Sequence, residues 1–171
     1  MIDNRKQYII LLGPSGTSKT YMLQQEAQKT FMIYILCNDG RTVSLERDSS
    51  FTSLRMSLDL AKTELERLEL VYLFIISRIL HLKLALEKAK KEGKELQPLE
   101  FYLMQLNGHS KNSQDLFDKI RTDHLEKYEK VDIFLRRLLK DIIEKYPYVK
   151  EKGVCFAIDE AGVANQLLKN Q

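Results

Sequence analysis

The sequence has no strong surplus of charge of either sign: 27 lysines and arginines stand against 24 aspartates and glutamates, a net of +3 over 171 residues. That balance gives no polyanion-binding footprint, because nucleic-acid domains concentrate far more positive charge on one face. Cysteine is scarce. Cys37 and Cys155 each sit in an apolar run without metal-ligand spacing and read as small buried hydrophobes of a reducing compartment, with no disulfide expected. Long apolar runs are missing as well. The most apolar stretch, LVYLFIISRILHLKLAL at 70–86, is interrupted by Arg78, His81 and Lys83, falls short of the ~20 mainly apolar residues that span a bilayer, and predicts a buried helix. The five-residue apolar run near the N-terminus is shorter than a secretory h-region and flows straight into a loop, so an intracellular location is expected. His81, His109 and His124 share no ligand spacing, and solvated or core roles suit them better than metal binding. No internal repeat, low-complexity segment or base-reading N-K-x-D motif is evident.

What is present is enough apolar material, 44% of residues, for one packed domain of this length. Residues 7–12 form an apolar run ending in Gly13 and Pro14, which predicts a buried strand feeding a loop. A helix is expected over Lys19–Lys29, with Met22, Leu23 and Ala27 available to pack. FMIYILC at 31–37, β-branched and aromatic and bounded by Asn-Asp-Gly, predicts a second buried strand. Further on, Thr52 or Ser53 can cap a very long helix, or a broken pair, whose apolar residues run from Leu54 to Ile79 and which persists to KKEG at 90–93. Pro98 and Gly108 bracket a shorter helix in the expected Pro-early, Gly-late order. NGHSKNSQ at 107–114 reads as a linker, and Asn112 or Ser113 caps a segment with one apolar face from Phe117 through His124, Val131 and Leu138 to Ile142, stopping before Pro147. Residues 154–158 are a third apolar run, ending on Asp159-Glu160.

Two of these stretches carry chemistry. YIILLGPSGTSKT at 8–20 matches G-x-x-x-x-G-K-[ST] except that Ser18 stands where glycine is usual. A nucleoside triphosphate brings several negative charges that backbone N–H groups can hold without bulk. Gly13 and Gly16 permit the unusual dihedrals and close approach, with Pro14, Ser15, Thr17 and Ser18 completing the loop. The N-terminus of the following helix adds oriented N–H groups and a partial positive charge. Lys19 would reach the β- and γ-phosphates and Thr20 would give its hydroxyl to Mg²⁺. Ser18 adds only a hydroxymethyl group, as in AAA-type loops that carry a small residue before the lysine. The apolar strand ending in Asp159-Glu160 suits the other half of such a site, with Asp159 beside Mg²⁺ and Glu160 orienting the attacking water as general base. Arg78, Arg136 and Arg137 could act as an arginine finger, but solvated or paired surface arginine is the commoner state and no role is assigned to them. Lys88, Lys90, Lys91 and Lys94 read as ordinary complement to a helix C-terminus.

With these motifs on the page, the chain resembles the NTPase domain of the Crinkler family, which is related to the retrotransposon hot spot proteins and to AAA-like signal-transduction ATPases. Besides GPSGTSKT and CFAIDEA, the likeness runs through ISRILHLKLALEK, LQPLEFYLMQLNG and DLFDKIRTDHL, and so covers nearly the whole chain. The resemblance implies ATP binding and hydrolysis by Lys19, Thr20, Asp159 and Glu160, and a secreted effector acting inside host cells, often in the nucleus. Other domains of that family, a ubiquitin-like header and sometimes a nuclease, have no counterpart in these residues.

The expectation is therefore one α/β P-loop NTPase-like domain over 1–171. Residues 1–50 hold the Walker A strand, loop, helix and next strand; 51–150 are a helical insertion; 151–171 hold the Walker B strand. Lys19 and Asp159 lie 159 − 19 = 140 residues apart. Either the sheet is a three-stranded remnant with the motif strands adjacent, or the chain is truncated before a later sensor strand and a second subunit completes it. Both make binding of ATP and Mg²⁺ a firmer expectation than hydrolysis, which would be slow or assisted by a partner. The rival from another class is a non-catalytic helical interaction module, covered by a second copy; a nucleotide kinase is weaker, since no acceptor site or lid is visible. Neither nucleic acid nor membrane is expected as a partner.

Overall fold

The computed structural model describes residues 19–37, 49–108 and 131–159, which form a mixed α/β structure that is mostly helical. The expected strand at 7–12, the loop from Gly13 to Ser18, the capped segment at 112–130, His109, His124 and Glu160 lie outside the described residues. Six helices and two strands follow in the order α1 (Lys19–Glu26), β1 (Phe31–Leu36), α2 (Ser49–Leu60), α3 (Glu64–Lys91), α4 (Pro98–Gly108), α5 (Val131–Lys145), α6 (Pro147–Lys152) and β2 (Val154–Asp159).

β1 and β2 pair in parallel, from Phe31 opposite Val154 to Leu36 opposite Asp159. Parallel neighbours need a crossover, and here helices α2 to α6 supply it. Every residue of β1 is buried, because both faces of the strand are covered. On one face Phe31, Ile33 and Ile35 join a large core with Phe74, Ile76, Ile79, Leu82 and Leu86 of α3 and Leu138 and Ile142 of α5. On the other, Met32, Tyr34 and Leu36 cluster with Ala27, Tyr102 and Ala157, against which Leu23 of α1 packs.

The long apolar pattern after residue 50 is a broken pair of helices. α2 starts at Ser49, ahead of the expected Thr52 or Ser53 cap, and ends at Leu60. α3 then starts afresh at a capping box: Thr63 Oγ1 accepts from the Glu66 N–H at 3.2 Å, and the Glu66 carboxylate accepts from the Thr63 N–H at 3.2 Å. At its far end, Gly93 takes a positive φ of 73° and the Lys94 N–H bonds the Ala89 carbonyl, a left-handed stop for a 28-residue helix. α3 and α5 run in the same direction, tied at equal offsets by Lys83–Asp141 at 3.3 Å and Glu87–Lys145 at 3.1 Å.

Several expectations need correction. α1 ends at Glu26 rather than Lys29, and Met22 is exposed, because the chain must turn over 27–30 to enter β1. Arg78 is no surface arginine: it is 1% exposed, with its guanidinium 4.9 Å from the Phe74 ring centroid, so the aromatic face supports a cation inside the helix cluster. Cys37 is buried as expected, but Cys155 is only half-buried; neither is in a disulfide. No helix among the described residues is long and apolar enough to cross a membrane.

Candidate functional site

Lys19 and Thr20 are the first two residues of α1, and Asp159 is the last of β2, opposite Leu36. The direction of α1 relates these positions. A turn over 27–30, with the Ala27 N–H on the Leu23 carbonyl at 2.8 Å and the Thr30 N–H on the Glu26 carbonyl at 3.1 Å, folds the end of α1 back into the start of β1. Glu26 lies close enough to Cys155, near the start of β2, to push its thiol pKa up, second to the effect of burial. The C-terminal end of α1 thus sits where both strands begin, and Leu23 packs on the Met32–Tyr34–Leu36 face. In open parallel sheets ligands bind at the carboxyl ends of the strands, the end that Asp159 marks here.

The opposite side of β1 is closed by α4. Phe101 packs into the large core with its ring 6.4 Å from Phe31, while Tyr102 meets Tyr34 edge-on at 5.6 Å on the other face. Between them Gln105, 1% exposed, uses its amide as a piece of strand. Its Oε1 accepts from the Tyr34 N–H at 3.0 Å, and its Nε2 donates to the Met32 carbonyl at 2.7 Å and the Phe101 carbonyl at 3.3 Å. The backbone groups of Met32 and Tyr34 point away from β2, since the ladder to β2 uses alternate residues beginning with the Phe31 N–H on the Gly153 carbonyl. Gln105 was missed by the sequence reading; its only signal was an amide standing within the apolar stretch Phe101–Leu106 of the helix.

Two other places were weighed as sites. A groove of about 420 Å³ is lined by Glu87, Lys90, Lys91, Lys145 and Tyr146. Tyr146 stacks edge-on with Tyr148, which in turn meets Phe31, so the groove belongs to the end where the strands begin, not to the end marked by Asp159. His81 is a core histidine: it lies edge-on to Phe101 at 5.8 Å, and burial, reinforced by Arg78, lowers its pKa from 6.5. Among the described residues no three His, Cys, Asp or Glu side chains gather as a metal site. No protein-family model, curated protein or solved structure matches the chain. The functional reading consequently rests on the chain's own residues.

Proposed function

We propose that the chain is a Mg²⁺-dependent ATP-binding P-loop domain. In this reading Gly13–Ser18 wrap the phosphates, Lys19 neutralises them, Thr20 and Asp159 hold Mg²⁺, and Glu160 orients water for slow or partner-assisted hydrolysis. The observation that supports it is the order and pairing of elements: the helix that begins with Lys19 and Thr20 leads into β1, and β1 pairs in parallel with the strand that ends on Asp159. An anion at that helix N-terminus gains from unpaired N–H groups and the helix dipole.

The test is the thermal unfolding midpoint with and without millimolar Mg-ATP. Ligand at a hundred times Kd stabilises the native state by about 2.7 kcal/mol, which raises the midpoint by several degrees. The wild type is expected to show this rise and Lys19→Ala to lose it. A folded wild type with no rise contradicts the reading.

A second reading has its own observation. Met56 and Leu60 near the end of α2 and Leu65 and Leu68 at the start of α3 are all more than half exposed, Leu60 at 80%. Large apolar side chains left exposed near one helix junction suit a helical interaction module. Self-association insensitive to nucleotide would favour it.

A further inference from the structure

The groove at the end where the strands begin is a site of a different kind from the one marked by Asp159. It holds about 420 Å³, within the range of small-molecule pockets. Glu87, Lys90 and Lys91 stand on the last turns of α3, Lys145 is the last residue of α5, and Tyr146 joins α5 to α6. Because α3 and α5 run in the same direction, both bring their C-terminal ends to this place.

Charge is the first observation. Three ammonium groups share the groove with one carboxylate, and that carboxylate is already taken, since Glu87 pairs with Lys145 at 3.1 Å. Among the described residues neither Lys90 nor Lys91 has a carboxylate partner. The two helix C-termini contribute about half a negative charge each, which offsets part of the surplus and leaves about one positive charge over.

Tyr146 supplies a second observation, independent of charge. It is 3% exposed, and its hydroxyl is buried with no hydrogen-bond partner, whereas buried hydroxyls are nearly always satisfied by protein, water or ligand. The Nζ atoms of Lys90 and Lys145 lie 5.9 and 5.7 Å from the centre of its ring. The Lys145 pKa is raised first by Glu87 and then by Tyr146, which places the hydroxyl toward Lys145 and so toward the groove. An ammonium has donors only, and a hydroxyl always has one to give. Apart from Glu87, every side chain that lines the groove therefore offers a hydrogen and lacks an acceptor.

We infer that the groove binds an anion of the phosphate class, inorganic phosphate or a small phosphomonoester, with Lys90, Lys91 and Lys145 as counter-charges and the Tyr146 hydroxyl as a directional donor. Lysine serves phosphate as a mobile point charge. Lys145, with its side chain about half exposed, swings toward the anion and opens the hydroxyl to it. A phosphate has enough oxygens to meet three ammoniums and a hydroxyl together, and the volume leaves room for a small ester group. The inference does not depend on the nucleotide-binding reading, whose residues lie at the other end of the strand pair.

Titration of the full chain with sodium phosphate at constant ionic strength, followed by NMR of backbone amides and lysine side chains, tests this. The signals of Lys90, Lys91, Lys145 and Tyr146 are expected to shift and to saturate in the low millimolar range. Phenyl phosphate is the second probe; whichever of the two saturates at lower concentration names the source of the phosphate group. Tyr146→Phe keeps the ring and is expected to weaken binding about tenfold, the loss of one hydrogen bond to a charged group. Lys90→Gln and Lys91→Gln are each expected to weaken it several-fold. Lys140→Gln removes the same unit of charge from α5 outside the groove, where Lys140 pairs with Glu144, and is expected to leave binding unchanged. Absence of saturable shifts with either probe overturns the inference. So do shifts that sodium chloride reproduces, or a loss in Lys140→Gln equal to that in Lys91→Gln, because both mark general screening. Binding that Tyr146→Phe leaves intact overturns it as well. If Tyr146→Phe does not fold, seen in its own amide spectrum, the comparison of Lys90→Gln and Lys91→Gln with Lys140→Gln decides.

Discussion

The two strands of the sheet have the same length, pair in one register, and differ in how far they are covered. β1 is buried on both faces and its outer backbone groups are held by one side-chain amide from a helix. β2 is half-exposed, with Phe156 and Ile158 standing out. The lesson is that a glutamine can end a sheet as firmly as a strand can extend it. An amide side chain carries an acceptor oxygen and two N–H donors: Gln105 offers the strand the acceptor and one donor, the pair that a neighbouring strand offers, and spends the second donor on its own helix at the Phe101 carbonyl. The protein closes the side of the sheet away from its acidic strand with this one amide.

The sharpest way to break this comparison is Gln105→Ala. It takes away the partners that Gln105 gives the Tyr34 N–H and the Met32 carbonyl, both in the interior, and leaves a hole between Phe101 and Tyr102. Each buried group so deprived costs about 1–3 kcal/mol, for a total of about 2–6 kcal/mol in the free energy of unfolding by denaturant. The Tyr34 amide is expected to exchange faster as well.

A smaller effect sharpens the same region through pH. His81 lies against Phe101 on the sealed side, faced by the Phe101 ring from α4 and by Arg78 from its own helix. Its folded pKa lies below 6.5, first because of burial and then because of Arg78. The unfolded chain therefore binds the extra proton more readily. Stability is present above pH 6.5 and is lost as pH falls below it. His81→Gln is expected to flatten that decline in denaturant midpoint between neutral and mildly acidic pH.

The sequence made some of this plain and hid the rest for physical reasons. Both described strands could be read from unbroken apolar runs, because parallel strands buried on two faces do not alternate. α4 was legible at both ends from Pro98 and Gly108. A broken pair was one of the two expectations for 52–93, but the place of the break was not legible, since apolar spacing continues across it; Thr63 and Glu66, three apart, were the available signal. Arg78 was misread because a charge suggests solvent, whereas here the Phe74 ring takes water's place beside it. Of the candidate site, the order of motifs was legible and so was the end of β2 at Asp159. Gln105 was not, because an amide in a helix has no meaning until the strand edge it serves is in view.

The most direct measurement is an amide chemical-shift map of the full chain titrated with Mg-ATP. Binding at the strand ends is expected to perturb Leu36, Cys37 and Asp159 while leaving Phe31 and Val154, at the other end of the same pair, nearly unchanged. No perturbation at millimolar nucleotide contradicts the account, as does a perturbation confined to Lys90, Lys145 and Tyr146, where the strands begin.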